Sequence, residues 1–135
     1  MFLLDTNICI YLIKRKPPEV IDRLRTLPLA EIWISSITLA ELMYGVAKSS
    51  RPEKNQNALN NFLTPMEVAP FNDLAAFFYG EIRAFLEKKG QPIGSMDLLI
   101  AAHAKSLKAT LVTNNLREFS RIPGLNLENW ANMTV

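Results

Sequence analysis

Apolar residues recur along this chain at two spacings. Phe2, Leu3 and Leu4 form a short unbroken run, as in a strand buried on both faces, and Ile8 to Lys14 reads as a helix that ends before "KPP". Pro17 and Pro18 suit a helix start, where the missing N–H would have no partner anyway, and Val20, Ile21, Leu24 and Leu27 line one face of the helix they open. "EIWISS" is rich in β-forming residues and predicts a second strand, with "ITLAELMYGVAKSS" as the helix after it. Arg51 to Leu63 reads as helical again. "MEVAPF" predicts a third strand, followed by a cap at Asn72 or Asp73 and a long helix in which Leu74, Phe78, Ile82, Phe85 and Leu86 repeat at helical spacing. Lys88 and Lys89 suit its last turn and Gly90 its C-terminal cap. "SMDLLIAAHAKSL" is a further helix, "ATLVT" a fourth strand and "LNLENW" a short fifth. Strands alternating with helices imply an open parallel sheet of four to five strands with helices on both faces, and such a sheet binds ligands beyond the carboxyl ends of its strands.

A chain of 135 residues supports one hydrophobic core, so a single domain over 1–135 is expected. With 49% apolar and 21% charged residues it has a globular composition, which excludes a disordered chain. The net charge of +2 neither demands nor excludes a polyanionic partner. Lys14 to Lys16, then Lys48, Arg51 and Lys54, then Lys88 and Lys89 are local basic clusters; each is either a solvated surface or a phosphate contact, and Arg117 and Arg121 lie near the expected binding edge. The lone Cys9 has no partner for a disulfide and no neighbouring histidine, so it reads as a packing thiol in a reducing cytoplasm. The start of the chain has neither a basic leader nor a small-residue cleavage site. No apolar run approaches the roughly 20 residues that span a bilayer, so no membrane segment is expected.

Against this background the acidic residues are informative. Asp5 stands at the end of the first strand, Glu41 in the helix after the second and Asp97 in the first turn of a later helix, while Asn114 and Asn115 close the fourth strand. The topology sends all of them towards one edge. Each carboxylate also has a plain reading: Asp5 as a helix cap, Thr38-Leu39-Ala40-Glu41 as a capping box, and Asp97 as a charge favouring a helix dipole. Two of the four aspartates nevertheless sit in otherwise apolar stretches, "FLLDTNICI" and "SMDLLIAA", where an unpaired buried charge is costly. A divalent cation or an arginine folded in from elsewhere would relieve that cost, and all-oxygen ligation favours Mg²⁺ or Mn²⁺ over Zn²⁺. His103 is the only histidine and follows an apolar stripe, which suggests a core or supporting role. Phe77, Phe78 and Phe85 read as core or as a dimer surface.

The blocks "LLDTNICIYLIK", "SSITLAELMYG", "KKGQPIGSMDLLIAAHA" and "LVTNNLREF" resemble, in order, those of the PIN-domain ribonucleases, most closely the VapC toxins of bacterial toxin–antitoxin pairs. The resemblance runs from Phe2 to about Trp130 and implies a three-layer α/β sandwich. It also implies an acidic triad of Asp5, Glu41 and Asp97 that holds Mg²⁺, with Mn²⁺ as a substitute, for phosphodiester hydrolysis. Asn115 matches a position often held by a fourth acid, Thr6 and Thr113 are placed to orient the site, and Glu118 reads as a surface residue at a helix start. The implied reaction is attack by water that leaves a 5′-phosphate and a 3′-hydroxyl. The implied substrate is RNA entering as a single strand or loop, with tRNA, and initiator tRNA cut in its anticodon loop, suggested by the enteric-type members. The implied partners are a small VapB-like antitoxin and a second copy of the chain, with the helices at Pro17 to Leu27 and Arg51 to Leu63 as candidate surfaces for either. Two other readings remain open: another Mg²⁺-dependent phosphoesterase or DNA nuclease, and a non-catalytic interaction module whose acids are caps.

Overall fold

A computed structural model describes residues 1–131. Its strands are β1 (Phe2–Leu4), β2 (Ile32–Ser35), β3 (Glu67–Ala69), β4 (Thr110–Val112) and β5 (Leu127–Glu128); its helices are α1 (Thr6–Lys14), α2 (Pro18–Arg25), α3 (Ser36–Lys48), α4 (Pro52–Leu63), α5 (Asp73–Lys88), α6 (Ser95–Leu107) and α7 (Leu116–Phe119). The strands form one parallel sheet in the order β3-β2-β1-β4-β5. The chain moves outward from β1 to β2 and β3, then crosses back to place β4 on the other side of β1. That reversal makes the carboxyl ends of β1 and β4 the switch point of the fold, where open α/β sheets form their binding crevice. Asp5 and Thr113 follow those two strand ends directly.

The pleat divides the core into two layers. Leu3 and Leu111 turn to one face, packed by Ile82, Leu86, Leu98 and Ala102 of α5 and α6. Leu4, Ile34 and Val112, each one residue further along its strand, turn to the other face under Ile8, Val20, Leu42 and Leu59 of α1 to α4. A sheet covered on both faces explains why its strands read as continuous apolar runs. Among the described residues no helix is long and apolar enough to cross a membrane.

The expected elements are present, with shifted bounds. α1 starts at Thr6 rather than Ile8 because Asp5 caps it; α2 stops at Arg25, leaving Leu27 beyond its end; a 3-10 turn at Leu29–Glu31 leads into β2. Asn72 caps α5 by accepting from the Ala75 N–H at 3.1 Å. At the other end Gly90, at φ 67°, lets its own N–H reach the Glu87 carbonyl and the Gln91 N–H reach Leu86. Only that left-handed turn closes the helix in this way, and glycine adopts it without strain. Leu74 does not join the buried face: it lies in the first turn of α5 and is 52% exposed. Phe77 is also exposed, while Phe78 and Phe85 pack against the core.

Because Leu111 is fully buried in the strand that leads to Thr113 and Asn115, Leu111→Ala is expected to lower unfolding stability by about 3 kcal/mol. Chemical denaturation should show a lower midpoint with an unchanged slope.

Candidate active site

Asp5 is fixed by the backbone at both ends of its residue. Its N–H continues the sheet by donating to the Val112 carbonyl at 3.0 Å, and its side-chain Oδ1 accepts from the Ile8 N–H at 2.9 Å. The capping reading is therefore correct for one oxygen. It leaves a carboxylate only 4% exposed beside other negative charges. Burial pushes the Asp5 carboxyl up to about 6; the Thr113 side chain and the Ile8 N–H oppose this, while the charges of Asp97 and Glu41 add to it.

Asp97 occupies the first turn of α6, which follows α5 rather than a strand. Its carboxyl is also raised, first by burial, then by the charges of Glu118 and Glu41, with the Asn115 side chain favouring the ionised form. Asn115 is held in turn by its N–H, which donates to Thr113 Oγ1 at 2.9 Å. Glu41 reaches the site from one turn inside α3. Thr6 Oγ1 donates to Glu41 Oε1 at 2.5 Å, with Thr38 Oγ1 lying 3.4 Å from the same hydroxyl. This joins the first turn of α1 to α3 by a short charge-assisted bond.

One expectation needs correction. The capping box at Thr38 to Glu41 does not form, because α3 begins earlier, with Ser35 as its cap accepting from the Ile37 N–H; Thr38 and Glu41 are inside the helix. Glu118 lies at the start of α7, as expected, where it is half-buried and its charge helps to raise the Asp97 carboxyl. The signal for it was only its place three residues after Asn115. His103 is buried, as expected, and its Nδ1 lies 2.7 Å from Ser35 Oγ with its ring edge-on to Phe71. Burial lowers its pKa, partly opposed by a backbone bond to Pro70. It ties α6 to the start of α3 and stands apart from the carboxylates. Cys9 is buried, and burial followed by the charge of Asp5 pushes its thiol up, which suits packing rather than nucleophilic attack.

The donors that face one another here are oxygen atoms, the preference of a hard divalent cation. The described ion pairs, Met1–Glu31, Arg23–Glu128 and Arg83–Glu87, include none of these four acids. Among the described residues, no three acids, cysteines or histidines stand close enough to grip one ion directly. The group fits an ion that keeps much of its own water, as Mg²⁺ does, and does not fit a Zn²⁺ cage.

Residues 2–125 match the PIN domain, and the chain belongs to that family. It is 52% identical over 131 residues to the ribonuclease VapC2 of Rickettsia felis, covering 96% of this chain and 98% of the relative. The tRNA(fMet)-specific endonuclease VapC of Salmonella typhimurium is 48% identical, with the same coverage of both chains. Among solved structures, VapBC2 from Rickettsia felis bound to a DNA fragment from their promoter superposes with a TM-score of 0.90 at 51% identity, covering 96% of this chain and 98% of that one.

Asp5→Asn keeps the capping oxygen and removes the charge. The folded-state pKa of Asp5 lies above its unfolded value, so the destabilisation from its charge is absent below about pH 4 and fully present above about pH 6. In metal-free protein at pH 7, Asp5→Asn should therefore stabilise the fold by on the order of 3 kcal/mol. Thermal melting from pH 4 to 7 should show the gap between variant and parent opening across that window.

Proposed function

We propose that the whole chain acts as one metal-dependent endoribonuclease domain of the VapC kind, a toxin that hydrolyses RNA phosphodiester bonds and is neutralised by a VapB-like antitoxin. The observation that carries this reading is the set of four acids from α1, α3, α6 and α7 and the loops before them, gathered at the switch point with no described cationic side chain paired to them. The similarity to an endonuclease named for tRNA(fMet) favours initiator tRNA as substrate. The lone, buried Cys9 suits a reducing cytoplasm.

In this reading Asp5 offers a cation its second oxygen and Asp97 faces it from α6. Glu41, oriented by Thr6, takes part through water or accepts the proton of the attacking water. Asn115 steadies Asp97, and Thr113 fixes both Asn115 and Asp5 in place. Mg²⁺, or Mn²⁺ in its stead, supplies stabilisation of charge on the phosphate oxygens and makes water a better nucleophile. Attack by water in line with the leaving 3′ oxygen gives a 5′-phosphate and a 3′-hydroxyl. The neutral Asn115 lowers the negative charge of the site relative to a fourth aspartate there, and Glu118 restores it from one turn further along.

Two apolar surfaces serve the expected protein partners. A cleft between α1, α3 and α4, lined by Ile10, Ile13, Leu42, Val46 and Leu59, suits an apolar antitoxin segment. Leu74 and Phe77 form an exposed apolar ridge on α5 that suits a second copy of the chain.

Purified antitoxin-free protein is expected to cut end-labelled bulk tRNA into discrete products in Mg²⁺, with no cut in EDTA or with Asp97→Asn. The new ends should be 5′-phosphate and 3′-hydroxyl; a 2′,3′-cyclic phosphate would rule out attack by water. Glu118→Gln is expected to weaken the Mg²⁺ dependence, requiring several-fold more Mg²⁺ for half-maximal cleavage. An unchanged Mg²⁺ curve would return Glu118 to the surface role.

A further inference from the structure

We propose that the outer ridge of α1 is the track along which the RNA strand leaves the acidic centre, with the Tyr11 ring as platform for a base beside the cleaved bond and Lys14 as a phosphate contact. The inference rests on the ribonuclease reading and adds to it the residues that meet substrate outside the acidic cluster. α1 buries Ile8, Cys9 and Leu12. Its opposite face therefore presents Asn7, Tyr11 and Lys14 in line, at i, i+4 and i+7. Asn7 and Lys14 are exposed and Tyr11 is half-buried, packed against the core formed by the α1 to α4 side of the sheet.

The ridge starts two residues from Asp5 and ends in the basic run Lys14 to Lys16, about 10 Å away at the helical rise. Tyr11 is held at its tip as well as its flank. Asn114 Nδ2 donates to the Tyr11 hydroxyl at 2.7 Å. Asn114 itself adjoins Asn115, whose side chain acts on Asp97, so the ring is tethered to the same loop as the acidic site. An aromatic ring fixed in this way loses little freedom on binding, and single-stranded bases stack on such rings. Asn114 at the ring's tip and the exposed Asn7 one turn earlier on α1 carry amide groups, the donors and acceptors that read a base edge. Lys14 adds the charge that follows a backbone.

The test compares Tyr11→Leu, Tyr11→Phe, Asn114→Ala and Lys14→Ala, with Lys108→Gln, between α6 and the start of β4, as a distant control, in cleavage of bulk tRNA and in the melting-temperature rise caused by Mg²⁺. Tyr11→Leu keeps apolar packing without an aromatic face and is expected to raise KM about tenfold or more, with the Mg²⁺ response intact. Tyr11→Phe should stay near the parent, Asn114→Ala should fall between them, and Lys14→Ala, unlike Lys108→Gln, should flatten the salt dependence of KM. Ultraviolet cross-linking of bulk tRNA to the Asp97→Asn protein should place the adduct on the α1 peptide. A Tyr11→Leu protein with parental KM and cut sites, or a cross-link confined to another surface, overturns the track while leaving the nuclease reading intact. Parent protein that neither cuts nor binds tRNA overturns both, and if Tyr11→Leu fails to fold the cross-link map decides.

Discussion

The structure depends on a carboxylate placed where burial opposes its charge. Asp5 is held by the Val112 carbonyl through its N–H and by the Ile8 N–H through its side chain, so its carboxylate cannot turn to solvent without breaking the cap of α1. Asp97 and Glu41 arrive from opposite layers and raise its pKa further. A neutral side chain that kept the cap would be more stable in that position. The arrangement makes physical sense when stability is given up to keep a charged crevice ready for a cation, and strain of this kind gathers at functional sites.

The supporting residues work through bonds that lie outside the crevice. Ser35 caps α3 and meets His103, while Ser36 Oγ accepts from the Phe71 N–H at 3.0 Å. These bonds join the ends of β2 and β3 to α6, the helix whose first turn carries Asp97. Thr6 then sets the angle of Glu41 from the first turn of α1. The acids therefore sit at, or within two turns of, helix starts that are locked to one another, which is how a shared field at Asp5 and Asp97 arises from residues far apart in sequence.

The parallel sheet and its edge were legible because the apolar runs at Phe2–Leu4 and Thr110–Val112 have no polar face to misplace, and because Asn72 and Gly90 punctuate α5 unambiguously. Asp5 and Asp97 stood out through their apolar neighbours. Glu41 was harder, since Thr38 and Glu41 satisfy the spacing of a capping box and only the tertiary position of Ser35 shows that the helix starts earlier. The charge of Glu118 at Asp97 depends on where α6 lies, which no local pattern reveals. Leu74 fits the helical stripe by spacing but lies in a first turn that rises clear of the sheet. The Tyr11–Asn114 bond joins positions 103 apart and has no local signature.

The most direct measurement is of the carboxyl carbons themselves. In ¹³C-labelled, metal-free protein titrated with Mg²⁺ at pH 7, the side-chain carboxyl signals of Asp5 and Asp97 should move together and saturate, while those of the solvent-facing Asp22 and Asp73 stay fixed. Saturable shifts confined to Asp5 and Asp97 would mean that the crowded acids form the cation site. Shifts spread equally over all four aspartates, or no saturable shift at Asp5, would contradict it.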